Sequence, residues 1–418
     1  MNELSRRHFL ASLGGAALLL SGGWLDPLRA AEEAPFSLAS LGQGTDWETI
    51  RRSLGLRDGL IYLNCGTLGP IPQYTRDAVF AAWRRLEENP ADEGFGPLLQ
   101  AMEEARARAA AYLGCALNEL AVTQSTTDGM NAIAQGVNLR KGDRVLTTDH
   151  EHPGGRLCWD YYARKAGVII DVVTLPAPPK TPGEILDAFA RQITPATRVI
   201  SASHVTYTTG LKLPITGLAE LAKEHGALLV VDGAQAPGGL SVDVKALKCH
   251  AYAASPHKWM LAPKGTGLLY IGADARARID PLSLQAGMGT YTGATGTRNV
   301  PGIIGLGAAV DLLTAVGKEA IERRVMALRN SLCREAANIP GITVVSPAPG
   351  ELAAPLLTLD LPDTVNSDAF VARLKERYGI IVRGMARPGL NGIRVSPHLY
   401  TSEDDLAQLV GALRREIV

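Results

Sequence analysis

From Leu120 onward the chain alternates short apolar runs with amphipathic stretches. The runs fall at 121–123, 143–148, 168–175, 198–203, 227–232, 250–255 and 267–271, each of strand length. Between them, 126–137, 154–166, 182–193 and 218–225 have the pattern of helices. Strands that alternate with helices predict an α/β domain with a mostly parallel seven-stranded sheet and helices on both faces. Ahead of it, the pattern predicts a short strand from residue 59, broken by a Gly/Pro turn, and two helices at 74–88 and 98–113. Behind it, past a Gly/Thr-rich loop at 287–296, one long helix is expected over 303–338. The remainder reads as strands 342–345 and 355–361, helix 367–378, strands 380–383 and 392–396, and helix 402–417, a smaller α+β domain. The expected organisation is an arm at 31–58, a large α/β domain at 59–300, and a linking helix with the small domain at 301–418.

The first thirty residues have a different character. Ser5-Arg6-Arg7-His8-Phe9-Leu10 is a twin-arginine pattern, and a Gly/Ala/Leu-rich run follows it at 9–23. Leu28-Arg29-Ala30 then offers a small residue for cleavage before Ala31. The run is too short and too Gly-rich to span a bilayer. A signal peptide over 1–30 is therefore expected, with the twin-arginine translocon as a transient partner and the periplasm as the destination. That route carries folded proteins, which suits a chain that loads a cofactor before export. Lys plus Arg (42) balances Asp plus Glu (42), which argues against nucleic acid or an anionic membrane as the main partner. The five cysteines (65, 115, 158, 249 and 333) are scattered and make no CxxC, so neither a disulfide framework nor a zinc site is announced.

Four features fall at predicted strand ends, where sheets of this kind bind ligands. The first is QSTTDGMN at 124–131, where a strand gives way to a helix. The free N–H groups and positive end of that helix favour a phosphate, and Ser125, Thr126 and Thr127 add hydroxyl donors. Taken alone, helix capping accounts for Ser125 or Thr126 equally well. The second is DHEHPGG at 149–155. His152 offers a flat face to an aromatic ligand, or belongs to a plain polar loop. His150 with His152 lacks the supporting cluster of a metal site, and no metal is expected. The third is VVDGAQA, where Asp232 ends an apolar run and Gln235 follows. A carboxylate there needs a partner such as a protonated ring nitrogen; it also suits a helix N-cap. The fourth is SPHKW at 255–259. Desolvation lowers the pKa of a lysine such as Lys258 and leaves an amine able to form a Schiff base, with Ser255 and His257 as neighbouring donors. A phosphate cradle, a flat-faced histidine, a ring-nitrogen carboxylate and a Schiff-base lysine together specify pyridoxal 5′-phosphate.

These residues sit in seven stretches: YLNCGTLGPIP, QSTTDGMN, DHEHPGG, VDGAQAPG, SPHKW, TGTRNVP and IRVSPHLYTSEDDL. Spread over nearly everything after residue 55, they resemble the class V aminotransferase family of fold type I pyridoxal-phosphate enzymes. The resemblance implies that Lys258 carries the cofactor, His152 stacks on its ring, Asp232 pairs with the ring nitrogen and Gln235 lies near the phenolic oxygen. It implies that Thr126, Thr127, Ser255 and His257, with Ser125 beside them, hold the phosphate. Tyr207 stands where many relatives place an Asn near the phenolic oxygen. Thr297 matches a Thr that reaches the phosphate of the other subunit, which implies a homodimer. Arg394 matches the Arg that clamps the substrate carboxylate, a task suited to a bidentate guanidinium. Asn64 and Arg298 are the further residues expected on the substrate side.

Two departures, Tyr207 and a missing cysteine, bear on the substrate. Cysteine desulfurases of the family carry a Cys on the loop before the clamp Arg, and RGMARPGLNG at 383–392 has none. That and TGTRNVP lean toward the isopenicillin N epimerase-like branch. Arg298, Arg383 and Arg387 either line the mouth, and then suit a substrate with more than one anionic group, or are solvated surface charges. The expected activity is at the Cα of an amino acid or a glutamyl-type group, by transamination or a related deamination or decarboxylation. Resemblance to exported class V enzymes that tailor pyoverdine-type peptides suggests siderophore maturation. Epimerisation and C–S or C–C lysis are the alternatives.

Overall fold

The computed structural model describes Leu38, residues 47–176 and residues 178–417; the signal peptide expected at 1–30 and much of the arm expected at 31–58 lie outside them. A two-residue strand, β1 (Ile61–Tyr62), comes first. It is followed by β2 (Leu120–Thr123), β3 (Arg144–Thr148), β4 (Ile169–Val173), β5 (Thr197–Ser203), β6 (Leu228–Asp232), β7 (Ala251–Ala254) and β8 (Gly267–Ile271). β2 to β8 form one sheet in the order β2-β8-β7-β6-β5-β3-β4. Only β8 is reversed, antiparallel to β2 and β7; the other neighbours are parallel. The C-terminal ends of six strands therefore lie along one edge. The sheet is mixed and mostly parallel, as the alternation of runs predicts.

Period-two alternation divides the strand residues between two cores. Leu229, Val231, Tyr252 and Leu268 face one apolar cluster, while Leu228, Val230, Ala251 and Leu269 face the other. Burial on both faces is why these strands read as continuous apolar runs.

A second sheet is built from β9 (Thr343–Val344), β10 (Leu357–Asp360), β12 (Arg383–Arg387) and β13 (Leu390–Val395), while the intervening β11 (Ile380–Ile381) pairs with β1. Its order is β12-β13-β10-β9, antiparallel throughout. It has its own apolar cluster, shared with Leu328, Leu332, Phe370, Leu409 and Leu413.

Three expectations need correction. The single helix expected over 303–338 is two helices, Val300–Val316 and Lys318–Ala336, bent by 80°. Gly317 stands between them at φ +89°, a conformation that glycine adopts without steric cost. The strand expected at 380–383 is likewise divided between β11 and β12. The stretch read as a loop, 383–392, is instead most of the β12–β13 hairpin, which turns at Pro388-Gly389 with Gly389 at φ +75°. Among the described residues, no single helix is long and apolar enough to cross a membrane, and the cysteines form no disulfide.

Candidate active site

Five of the six co-directed strands bring their ends to one cleft of about 380 Å³. β2 leads into Ser125–Thr127, β3 into His152, β5 into Tyr207, β6 ends on Asp232 ahead of Gln235, and β7 leads into Ser255–Lys258. The hairpin of the small sheet closes the other side with Arg383, Met385, Arg387 and Arg394.

The turn after β2 is capped by its own side chain and tied to the lysine loop. Ser125 Oγ accepts the Asp128 amide at 3.2 Å, so it caps the helix Thr126–Gly136. The Thr126 amide donates to Ser255 Oγ at 3.0 Å, and the two hydroxyls lie 2.8 Å apart, which ties this turn to the lysine loop. Gly267 allows β8 to pass beneath, since a Cβ there would meet the Ser125 nitrogen at 2.4 Å.

The lysine loop is clamped through its backbone. The Gly69 amide donates to the His257 carbonyl at 2.8 Å, and a Cβ on Gly69 would lie 2.0 Å from the Lys258 carbonyl oxygen. Leu261, wholly buried, is held at φ +54°, a costly conformation for a branched residue. Burial lowers the Lys258 pKa to about 8; Asp232 opposes that shift and Arg394 reinforces it. His257 Nδ1 lies 3.1 Å from the Thr266 carbonyl, so its hydrogen is directed there and Nε2 is left free.

Asp232 is buried, and its Oδ1 accepts the Ala234 amide at 2.9 Å. Burial raises its pKa, while that amide and Lys258 oppose the rise. Gly155 makes room for it, because a Cβ there would sit 2.5 Å from Asp232 Oδ2. Gln235 is fixed in orientation: its Oε1 accepts the Trp259 indole N–H at 2.8 Å and its Nε2 donates to the Gly66 carbonyl at 2.8 Å. Its remaining amide hydrogen is the group available to a ligand. His152 Nδ1 accepts the Gly154 amide at 3.0 Å, and its ring meets Tyr207 edge-on at 4.9 Å. Desolvation in the cleft, then the charges of Lys258, Arg394 and Arg383, lower its pKa to about 4, so the ring is neutral. A neutral imidazole suits stacking beside a cationic ring.

Arg394 is buried and faces the same space. Its Nη1 donates to the Tyr207 carbonyl at 3.1 Å and its Nη2 to Thr67 Oγ1 at 2.8 Å, while Nε has no partner. Thr67 was not singled out by the sequence reading, although it lies in YLNCGTLGPIP. Neither was Glu151, whose carboxyl accepts Thr148 Oγ1 at 2.7 Å, the Ser203 amide at 3.1 Å and Ser203 Oγ at 2.6 Å. Ser203 is the register partner of Asp232, so a second carboxyl stands beside the first. Burial, with Asp232 adding to it, raises the Glu151 pKa to about 7. A folded-state pKa above the unfolded value makes stability fall as pH rises from the ordinary carboxyl range through about 7. Glu151→Gln, which keeps the hydrogen-bonding shape, is expected to remove a loss on the order of 3 kcal/mol at pH 8. Chemical denaturation at pH 5 and pH 8 checks this: the variant should gain on the wild type only at the higher pH.

Three expected site residues lie outside the cleft. Asn64 Oδ1 accepts the Thr67 hydroxyl at 2.7 Å and stands behind the lining. Arg298 Nη2 donates to the Val122 carbonyl at 2.6 Å, and the residue does not line this cleft. Thr297 is exposed beside it. His150 pairs with the Thr208 hydroxyl, and no group of three metal-binding side chains occurs among the described residues.

Comparison with known proteins agrees with this geometry. The family model described as aminotransferase class V matches residues 95–409. The isopenicillin N epimerase of Amycolatopsis lactamdurans is 31% identical over 392 residues, covering 88% of this chain and 98% of the relative. A probable cysteine desulfurase of Methanothermobacter thermautotrophicus is 28% identical over 404 residues, with coverage of 88% and 98%. Among solved structures, a mutant of C-DES with glycine covalently linked to its PLP cofactor superposes with a TM-score of 0.79 at 26% identity, covering 87% of this chain and 98% of that one. The complex of the cystine C–S lyase C-DES with cysteine persulfide gives the same score and identity over 85% and 98%. The chain belongs to the class V aminotransferase family, whose enzymes depend on pyridoxal 5′-phosphate.

Proposed function

We propose that this chain acts at the Cα of an amino acid, or of a glutamyl-type group in a larger molecule, by transamination or a related deamination or decarboxylation. The observation that carries this is the convergence of Lys258, Asp232 and Arg394 on one cleft. The residues fit pyridoxal 5′-phosphate. Asp232 is a buried carboxyl with no ion-pair partner among the described residues, which suits a protonated ring nitrogen. Ser255, Thr126, Thr127 and His257 group their donors at the helix start that would hold the phosphate. When bound, the cofactor withdraws electrons from the substrate's Cα.

The chain's own contribution is binding, orientation and proton movement. Arg394 takes the substrate carboxylate, with its free Nε and its two anchored Nη groups setting the direction of the fork. His152 would cover one face of the cofactor ring, and Gln235 would offer its free amide hydrogen to the phenolic oxygen. Lys258, with a pKa near 8, has a substantial free-base fraction near neutral pH and moves the proton at Cα. Incubation of the holoenzyme with candidate amino acids in D2O is expected to place solvent deuterium at Cα, by exchange of its hydrogen or in place of a lost carboxyl; no deuterium at Cα in any amino acid or peptide carrying a free Cα amine, or in its amine product, would refute this reading.

Epimerisation is the second reading, favoured by the full-length similarity to isopenicillin N epimerase. It predicts inversion at Cα without a keto or decarboxylated product. Persulfide chemistry is disfavoured. The β12–β13 hairpin has no cysteine, and Cys65, whose Sγ lies 3.5 Å from the Lys258 carbonyl, is buried with its pKa raised by desolvation.

The twin-arginine pattern supports export to the periplasm through its translocon, and periplasmic siderophore maturation is the setting we assign. Thr297, exposed beside the helix Val300–Val316, is the residue through which a homodimer would complete the phosphate site. Replacing Arg6 and Arg7 with lysine is expected to retain the protein inside the cell. Undiminished periplasmic recovery would overturn the twin-arginine route, and absence of the unaltered protein from the periplasm would overturn the export assignment.

A further inference from the structure

The β12–β13 hairpin sets like charges face to face. Arg383 is the register partner of Arg394, and adjacent strand residues directly opposite each other place their side chains on the same face. Arg387 stands four residues along the same strand, roughly 13 Å away and on that same face. The intervening Gly384 points the other way: a Cβ there would lie 3.0 Å from Asp368 Oδ1, on the helix Ser367–Tyr378. The face that bears Arg383, Arg387 and Arg394 is therefore the face that closes the cleft.

Like charges opposed across a strand pair are destabilising unless something neutralises them. The described residues do not supply it. Arg383, exposed at the rim of the cleft, has no hydrogen-bond or ion-pair partner among the described residues. Arg387 Nη2 donates to the Asp149 carbonyl at 3.0 Å, and Arg394 is held by a carbonyl and a hydroxyl, all neutral acceptors. Among the described residues, the only acidic one lining the cleft is Asp232, on the opposite wall at the end of β6. A substrate with one carboxylate satisfies Arg394 and leaves the other two guanidinium groups uncompensated.

We propose that Arg383 and Arg387 form a second anion subsite, so that the substrate carries a carboxylate or equivalent anion besides the one that Arg394 holds. The inference rests on the reading of this cleft as the cofactor site with Arg394 as clamp, and it names the class of substrate: a dicarboxylic amino acid or the acidic end of a larger molecule. A guanidinium at the rim reads such a group by paired hydrogen bonds, and the uncharged amide of the same shape forfeits them.

The test is calorimetric titration of the holoenzyme with succinate, glutarate and adipate, each against the monocarboxylate of equal length. At least one dicarboxylate should bind about tenfold more tightly than its partner, the effect of one charge-assisted hydrogen-bond pair. Arg383→Gln and Arg387→Gln should each cut that preference, and Arg383→Lys should keep part of it. Absence of any preference in the wild type, including no binding by any of these acids, overturns the subsite. So does a preference that survives in both glutamine variants. Cofactor absorbance, read on the same samples, separates the two failures: intact absorbance without discrimination sinks the subsite alone, whereas a wild-type protein that takes up no cofactor sinks the functional reading beneath it.

Discussion

Replacing Lys258 with alanine is expected to abolish the lysine-dependent yellow absorbance and to lower turnover by about 10³-fold or more, with the fold retained. On the role proposed for Lys258, the magnitude follows from losing a general base at the reacting carbon, worth about 10² to 10⁴ by itself, together with the covalent hold on the cofactor. No neighbour can substitute. His152 is neutral with its pKa lowered to about 4, and its Nδ1 is committed to the Gly154 amide. Lys264, the other lysine nearby, donates to the Gly69 carbonyl at 2.7 Å. The fold should survive because the loop is held by its backbone, through Gly69, Ser255 and Pro256, rather than by the ammonium. Circular dichroism and an absorbance spectrum on one sample separate loss of function from loss of structure. A small primary amine supplied in solution should restore part of the rate.

Asp232→Asn is expected to reduce turnover by about 10² to 10³, the range seen when one fixed electrostatic partner of a developing charge is removed. The change is isosteric, so Gly155 still leaves room for it and the Ala234 amide still finds an oxygen. What disappears is the negative charge that favours a protonated ring nitrogen. Glu151 does not replace it: it is bound to Thr148 and Ser203, and with its pKa near 7 it is largely protonated in mildly acidic solution. Steady-state rates on any substrate that exchanges its Cα hydrogen measure the loss. A variant within a factor of two of the wild type would show that the ring nitrogen is not held by this carboxyl.

The parts of the architecture that could be read from the chain are those whose side chains report burial. β5 to β8 are covered on both faces, so their apolar runs announced them, and the polar residues that end or follow the runs marked the cleft. Elements set by partners far along the chain could not be read this way. β12 carries Arg383, Arg387 and a glycine, with no apolar alternation, because one face lines a polar cleft and its strand character comes from pairing with β13. The break at Gly317 was hidden because helical residues flank it on both sides, and only packing selects the positive φ. Arg298 lay within a motif suited to a site, yet the carbonyl of Val122 claims its guanidinium. Trp259 and Glu151 act through Gln235 and Ser203, relations between residues 24 and 52 positions apart that no local pattern exposes.

The central claim is that Lys258 holds pyridoxal 5′-phosphate in this cleft. Borohydride treatment of the holoenzyme, followed by tryptic digestion and mass mapping, tests it most directly. One phosphopyridoxyl group is expected, on the peptide that contains Lys258. A label on Lys264 or elsewhere, with Lys258 unmodified, would contradict it.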